Sequence, residues 1–145
     1  MTTPFSDIYT IFLSQLTDYN LNNMDDAALE SNMQGWLTSA VGYFTNCKKN
    51  ITDYDLDVAE FNVDLSQIEK QILAKYMLYV YVDTYLITES NLKQTLNSRD
   101  YRAYSPAGQI KALIELKKQI NNDATVLVSR YSYNIHDLEG KWKNE

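Results

Sequence analysis

Few residues of this 145-residue chain combine a reactive side chain with a suggestive spacing. The chain has one cysteine, Cys47, and one histidine, His136, which together could form a nucleophile–base pair. His136 lies in a polar C-terminal stretch where we predict no helix or strand to position it. One cysteine and one histidine are also too few for a zinc site. We therefore predict that the protein is not an enzyme and needs no metal or cofactor. An enzyme that uses these two residues is the least favoured alternative.

Three acidic residues at alternate positions suggest calcium binding: Asp53, Asp55 and Asp57. The match to a calcium-binding loop fails at the position of its invariant glycine, which is Val58, and at that of its final glutamate, which is Asp64. The four glycines are scattered singly, so the sequence contains no glycine-rich phosphate loop. We interpret residues 51–63 as an acidic loop without helical or strand periodicity.

The formal charge of −6 is distributed unevenly along the chain. Residues 1–46 contain five acidic and no basic residues, whereas residues 71–145 contain ten basic and eight acidic ones. A duplex-binding surface needs clustered Lys and Arg, so the acidic balance argues against one. The asymmetry could orient copies of the chain against one another or against a partner, although a solvated acidic face is the simpler explanation.

The sequence predicts neither secretion nor a membrane span. A single cysteine cannot form an internal disulfide, which fits a reducing compartment. No basic and then apolar segment opens the chain, and Lys75 and Asp83 interrupt its most apolar run. The negative charge and the lack of an obvious exposed apolar run also predict that the isolated protein stays monomeric.

The most apolar segment, residues 64–87, predicts the central helix of an all-α bundle. Asp64 followed by Gln67 has the spacing of an N-cap and its capping-box partner. Residues 72–82 contain a single charged side chain, so nearly every side of this helix is apolar. Residues 79–82 are also typical of a strand, an alternative that we disfavour because the capped run is too long.

Two helices are predicted before the central one. Thr3 as N-cap and Pro4 at the first helical position start a helix that should end near Leu16. The second helix begins at Asp25 or Asp26, since acidic residues suit the positive end of a helix dipole.

The second helix has a regular apolar face, on which Leu37 is central. Its members recur every three or four residues: Leu29, Met33, Trp36, Leu37, Ala40, Val41 and Phe44. Gly35 and Gly42 lie within this helix, and each costs up to about 1 kcal/mol relative to Ala, so close helix packing would be a reason to keep them. We expect Leu37 and Ile72, on the two most apolar helices, to be buried.

The last long helix follows Ser105 and Pro106, again an N-cap residue followed by proline. Its inward residues are predicted to be Ile110, Leu113, Ile114, Ile120, Ala124, Leu127, Val128 and Tyr131. We place the end of this helix at Tyr133. The predicted organisation is therefore a bundle domain of three long helices and shorter helical pieces over residues 1–133, with an extended tail or arm over residues 134–145.

The best candidates for partner contact lie outside the predicted helices. Ile135, Leu138 and Trp142 are spaced along the tail, and Trp142 would be the main anchor because Trp is common at binding hot spots. Tyr101 and Tyr104, in the connector before the last helix, are further candidates because tyrosine is enriched at protein interfaces. Ordinary boundary packing accounts for these tyrosines equally well.

Several stretches resemble the head–tail connector, or adaptor, proteins of tailed bacteriophages and prophages. They are residues 4–13 (PFSDIYTIFL), 40–49 (AVGYFTNCKK), 61–65 (FNVDL) and 96–106 (LNSRDYRAYSP), the last leading into 112–116 (ALIEL). Together they extend from near the N-terminus to about Tyr133. The segment after Tyr133 is longer than the pattern of this family.

The resemblance implies a helical, non-enzymatic virion protein at the capsid portal vertex, assembled in the host cytoplasm. Such a protomer forms a closed ring of about twelve copies that binds the portal protein and extends the DNA channel. The ring would also dock the next stopper or tail protein, with DNA only passing through and no membrane involved. The alternative is an α-helical adaptor or regulatory module that binds one protein partner and has no virion role.

Overall fold

Four helices make up most of the backbone that the computed structural model describes, namely residues 2–18, 26–95 and 106–144. Side chains are described for residues 2–16, 32–87 and 110–133. The helices are α1 (Phe5–Asp18), α2 (Asp26–Tyr43), α3 (Gln67–Thr95) and α4 (Pro106–Asn144). The protein is therefore broadly all-α, as the sequence predicts.

Helix α3 is the centre of the bundle, because α1, α2 and α4 all pack against it. Seven of its side chains between residues 72 and 82 are buried: Ile72, Leu73, Ala74, Met77, Leu78, Tyr81 and Val82. Leu37 of α2 and Ile72 of α3 are both fully buried, which confirms the prediction for them. The strand alternative for residues 79–82 is wrong, since these residues lie within α3.

Helix α3 starts two residues later than the sequence analysis placed it. The capping box is formed by Ser66 and Glu69, not by Asp64 and Gln67. The Glu69 carboxylate accepts a hydrogen bond from Ser66 N at 2.7 Å, and the Ser66 hydroxyl accepts one from Glu69 N at 3.4 Å. Both pairs have the same spacing, so the sequence alone did not distinguish them.

A small antiparallel sheet corrects the prediction that residues 51–63 form a loop without strands. Its strands are β1 (Thr3–Pro4), β2 (Tyr54–Asp55) and β3 (Glu60–Phe61), in the order β1-β3-β2. Thr3 and Tyr54 both pair with Phe61. Strands of two residues are too short to show alternation in a sequence, which is why they were missed.

The sheet also changes the role of Thr3, which was predicted to cap α1. Its hydroxyl donates to Val63 O at 2.8 Å and accepts from Leu65 N at 2.9 Å, so it ties the N-terminus to the segment before α3. Helix α1 begins at Phe5, whose amide donates to Ala59 O at 2.8 Å. The Phe5 and Phe61 rings meet edge-on with centroids 4.9 Å apart, so Phe61 packs onto the bundle.

Most of the apolar face predicted for α2 is buried where its side chains are described: Trp36, Leu37, Ala40, Val41 and, just after the helix, Phe44. Met33, at the start of this described part, is partly buried. Close helix packing does not account for Gly35 and Gly42, because a β-carbon at either position would have no neighbour within 4 Å. No steric reason for these glycines follows from the fold.

Helix α4 is longer than predicted. Its start at Pro106 agrees with the sequence, but its backbone stays helical to Asn144 and does not end at Tyr133. The sequence contained a signal for this, because Tyr131, Ile135, Leu138 and Trp142 keep three- and four-residue spacing. The division into a domain and an arm stays a prediction.

Candidate functional site

The five residues predicted to contact partners lie outside the described side chains. Tyr101 and Tyr104 belong to residues 96–105, whose backbone is not described. Ile135, Leu138 and Trp142, like His136, lie on the last part of α4, where only the backbone is described. Their partner contacts stay predictions.

A buried carboxylate, Glu69, organises the polar interior. Its side chain is 2% exposed. Oε1 lies 2.9 Å from Lys49 Nζ, and Oε2 accepts a hydrogen bond from the Tyr131 hydroxyl at 2.8 Å. The Cys47 thiol contacts Oε2 at 3.6 Å, and the Tyr131 oxygen accepts from Lys48 N at 2.9 Å. One carboxylate therefore joins the segment after α2 to the start of α3 and to α4.

The protonation states in this network follow from its hydrogen bonds. Burial by itself would raise the pKa of Glu69, but hydrogen bonds from Ser66 N, Lys49 and Tyr131 outweigh burial and hold the pKa below its ordinary value. Burial raises the pKa of the Cys47 thiol, and the Glu69 carboxylate adds to this. Burial likewise raises the pKa of Tyr131. At neutral pH the network therefore holds an ionised carboxylate beside a protonated thiol and phenol.

The Glu69 network is suited to holding the fold together. A protonated thiol is a poor nucleophile, and Glu69 already accepts the hydrogen bonds that its oxygens can form here. The sequence analysis missed the network because Tyr131 lies 62 residues from Glu69. Its only local signal was the Ser66–Glu69 capping spacing.

A groove between α3 and α4 is a concave site in the described part of the chain. Its volume is about 290 Å³, and Tyr79, Leu86, Ile114, Lys117, Lys118 and Asn121 line it; we call it the α3–α4 groove. Lys117 Nζ lies 2.6 Å from Asp83 and 5.2 Å from the centre of the Tyr79 ring. Ile114, predicted to face inward, is 40% exposed here. The groove therefore has an apolar floor and basic groups at its edge.

Three tyrosines extend this surface toward α2. The Tyr43 ring stacks on Tyr76 with centroids 5.7 Å apart and meets Tyr79 edge-on at 5.4 Å. Tyr43 is 48% exposed. Tyr76 is only partly buried, which places it at the boundary of the bundle. Rigid, half-exposed tyrosines of this kind are common in protein interfaces.

A second exposed apolar feature is the turn between β2 and β3, residues 56–59, which we call the hairpin tip. Leu56 is 49% and Val58 60% exposed. Ala59 has a φ of 56°, in the left-handed region that residues other than glycine rarely adopt. The Asp55 carboxylate accepts a hydrogen bond from Asp57 N at 2.9 Å, an Asx turn that shapes the tip. The sequence hinted at this turn through its alternating aspartates.

Among the described side chains, no three His, Cys, Asp or Glu residues lie close enough together to hold a metal ion. The described parts of the four helices include no segment long and apolar enough to cross a membrane.

Comparison of the chain with protein-family models, curated proteins and solved structures gives no match.

Proposed function

We propose that this protein is a structural subunit of a tailed-bacteriophage neck. In this role copies of the chain form a ring that joins the portal at the capsid vertex to the next stopper or tail protein. The ring extends the DNA channel, DNA is only a passing occupant, and the subunit carries out no catalysis.

The observation that carries the proposal is that three of the stretches resembling connector proteins are neighbours in the fold. Residues 4–13 contact residues 61–65 through the Phe5–Phe61 ring pair, beside the bonds of Thr3, one residue before the first stretch. Residues 40–49 end at Lys49, which donates to Asp64 O within residues 61–65. Residues 96–105 lie outside the described residues. The contacts among the three described stretches support one folded unit that carries this part of the resemblance.

The described surface also supports a role in assembly. The polar groups of the Glu69 network are occupied in joining helices, whereas aromatic and aliphatic side chains are exposed in the α3–α4 groove and at the hairpin tip. Exposed apolar surface with a polar rim is typical of protein docking sites.

The test is to purify the protein with and without the portal protein from the same genome. Mass measurement and negative-stain images should show a monomer alone and a ring seated on the portal in the mixture. A protein that stays free of the portal, with no added density beneath it, would contradict the proposal.

The alternative function, an adaptor that binds one protein partner, predicts a different stoichiometry. Its complex with a captured partner would contain one or two copies of the chain and no ring. The same mass measurement separates the two proposals.

A further inference from the structure

We propose that the hairpin tip of one copy docks in the α3–α4 groove of a second copy. This inference rests on the proposed function only in that the ring needs a contact between copies. It assigns that contact to two surfaces of this chain.

The hairpin tip is built to protrude in one fixed shape. Its conformation is held by the Asx turn at Asp55, by the bond from Gln34 Nε2 to Leu56 O at 3.2 Å, and by the bond from Phe5 N to Ala59 O at 2.8 Å. The left-handed Ala59 costs free energy that a plain surface turn would avoid. A turn held in this way loses little conformational entropy when it binds, so its exposed Leu56 and Val58 are suited to docking.

The tip and the groove are complementary in polarity and charge. The tip presents two aliphatic side chains with Asp55 and Asp57 beside them, all exposed. The groove offers the apolar surfaces of Tyr79, Leu86 and Ile114, together with Lys118 and with Lys117, whose charge is partly balanced by its pair with Asp83. Its volume of about 290 Å³ lies at the lower limit of small-molecule pockets, roughly 300–1,000 Å³, and suits the insertion of a few side chains.

The contact has to form between copies. Leu56 and Val58 are exposed in the single chain, and none of the residues that line the groove belongs to the tip. The tip is also held against α1 and α2, through Phe5 and Gln34. A protrusion on one surface that fits a groove on another makes a head-to-tail contact, which generates rings when the rotation closes.

The contact is small, so one pair of copies should associate weakly. Stable protein interfaces bury about 1,200–2,000 Å² in total, far more than two aliphatic side chains can supply. The isolated protein is therefore expected to be monomeric at micromolar concentration. Association becomes effective when the portal holds many copies side by side.

The test is carbodiimide cross-linking, which joins a carboxylate to a lysine amine only when the two are in direct contact. Equal amounts of unlabelled and nitrogen-15-labelled full-length protein are mixed at high concentration and cross-linked without portal. Mass spectrometry should find mixed-isotope peptides that link Asp55 or Asp57 to Lys117 or Lys118. Mixed-isotope links confined to other positions, or no such links at all, would overturn the proposal.

A second test reverses the charge of one residue on each of the two surfaces. Asp57→Lys and Lys118→Glu are each expected to lower the yield of links between copies several-fold, because each places like charges together. Mixing the two variants should restore the yield, with links between the two substituted positions. Lys111→Glu, at an exposed lysine of α4 outside the groove, is the matched control and should leave the yield unchanged. A mixture that yields no more than either variant alone would refute the contact.

Failure of this contact and failure of the proposed function are distinguishable. The cross-linking experiment contains no portal, so a negative result leaves portal binding to be judged by its own measurement. Portal binding without links from tip to groove would mean that copies meet through other surfaces.

Discussion

The Glu69–Tyr131 bond and the Asp83–Lys117 pair both join α3 to α4, and they differ in burial more than in length. The Tyr131 hydroxyl of α4 bonds to Glu69 of α3 at 2.8 Å, and Lys117 of α4 pairs with Asp83 of α3 at 2.6 Å. Fourteen residues separate the two positions on each helix, so the links lie about 21 Å apart on an antiparallel pair. Glu69 is 2% exposed, whereas Asp83 and Lys117 are 35% and 28% exposed.

The comparison indicates that distance is a poor guide to what a polar link contributes. Water screens the Asp83–Lys117 pair, and either partner can be hydrated when the other is lost. Loss of Glu69 would leave Tyr131 and Ser66 N without a buried acceptor. The buried link should therefore dominate the stability of the bundle, and the exposed link should mainly shape the groove.

Among changes to the two links, the largest effect is expected for Glu69→Ala. Removing one partner of a buried, hydrogen-bonded charge network should lower the free energy of unfolding by about 3 kcal/mol, measured by urea denaturation. A loss below about 1 kcal/mol would mean that the buried link contributes no more than an exposed pair.

Ile72→Ala is the matched control, because Ile72 is equally buried and lies one turn further along α3. It should lose roughly 2–5 kcal/mol through the cavity that it leaves. Unlike Glu69→Ala, it should leave the dependence of stability on pH as in the parent protein.

Tyr131→Phe should have a smaller effect, a loss of about 1–2 kcal/mol. The ring still packs against Phe44, whose centroid lies 5.5 Å away, so only the hydroxyl and its bonds to Glu69 and Lys48 N are removed. Urea denaturation measures it, with Tyr133→Phe as the control because Tyr133 is 68% exposed. Equal stabilities for the two variants would contradict the prediction.

The stability of the parent protein should fall in acid partly through Glu69. The pKa of this residue is lower in the folded chain than its ordinary value of 4.5. Its stabilisation is therefore present above pH 4.5 and is lost as the pH falls through the folded pKa. Urea denaturation at a series of pH values should show a flatter acid limb for Glu69→Gln than for the parent. Parallel curves would contradict the prediction.

The smallest effect is expected for Asp83→Asn. Loss of the partly exposed ion pair should change the free energy of unfolding by less than about 1 kcal/mol, and salt should reduce the difference further. If Asp83→Asn lowered the free energy of unfolding as much as Glu69→Ala does, burial would not explain the difference between the two links.

The sequence predicted the helices well where their apolar periodicity was long. The central position of α3, the apolar face of α2 and the proline start of α4 all followed from spacing. The end of α4 was missed even though Ile135, Leu138 and Trp142 continue its period, because polar residues between them obscured it.

Most of the candidate sites could not be predicted from the sequence. The Glu69–Tyr131 bond joins residues 62 positions apart, and the α3–α4 groove depends on how two helices pair. The hairpin tip depends on a sheet whose strands contain two residues each. Such features arise from tertiary contacts, and periodicity within one element does not predict them.

The pairing of β1 with β3 also affects the order in which segments of the chain fold during synthesis. Thr3 finds its hydrogen-bond partners only at Val63 and Leu65, about sixty residues later in the chain. During synthesis the first strand therefore has to wait until the segment before α3 has left the ribosome. Contacts so distant in sequence require a large loop to close, which slows folding relative to a bundle built from adjacent helices. Strand β1 is thus made well before its partners and reaches its final place only after they have been made.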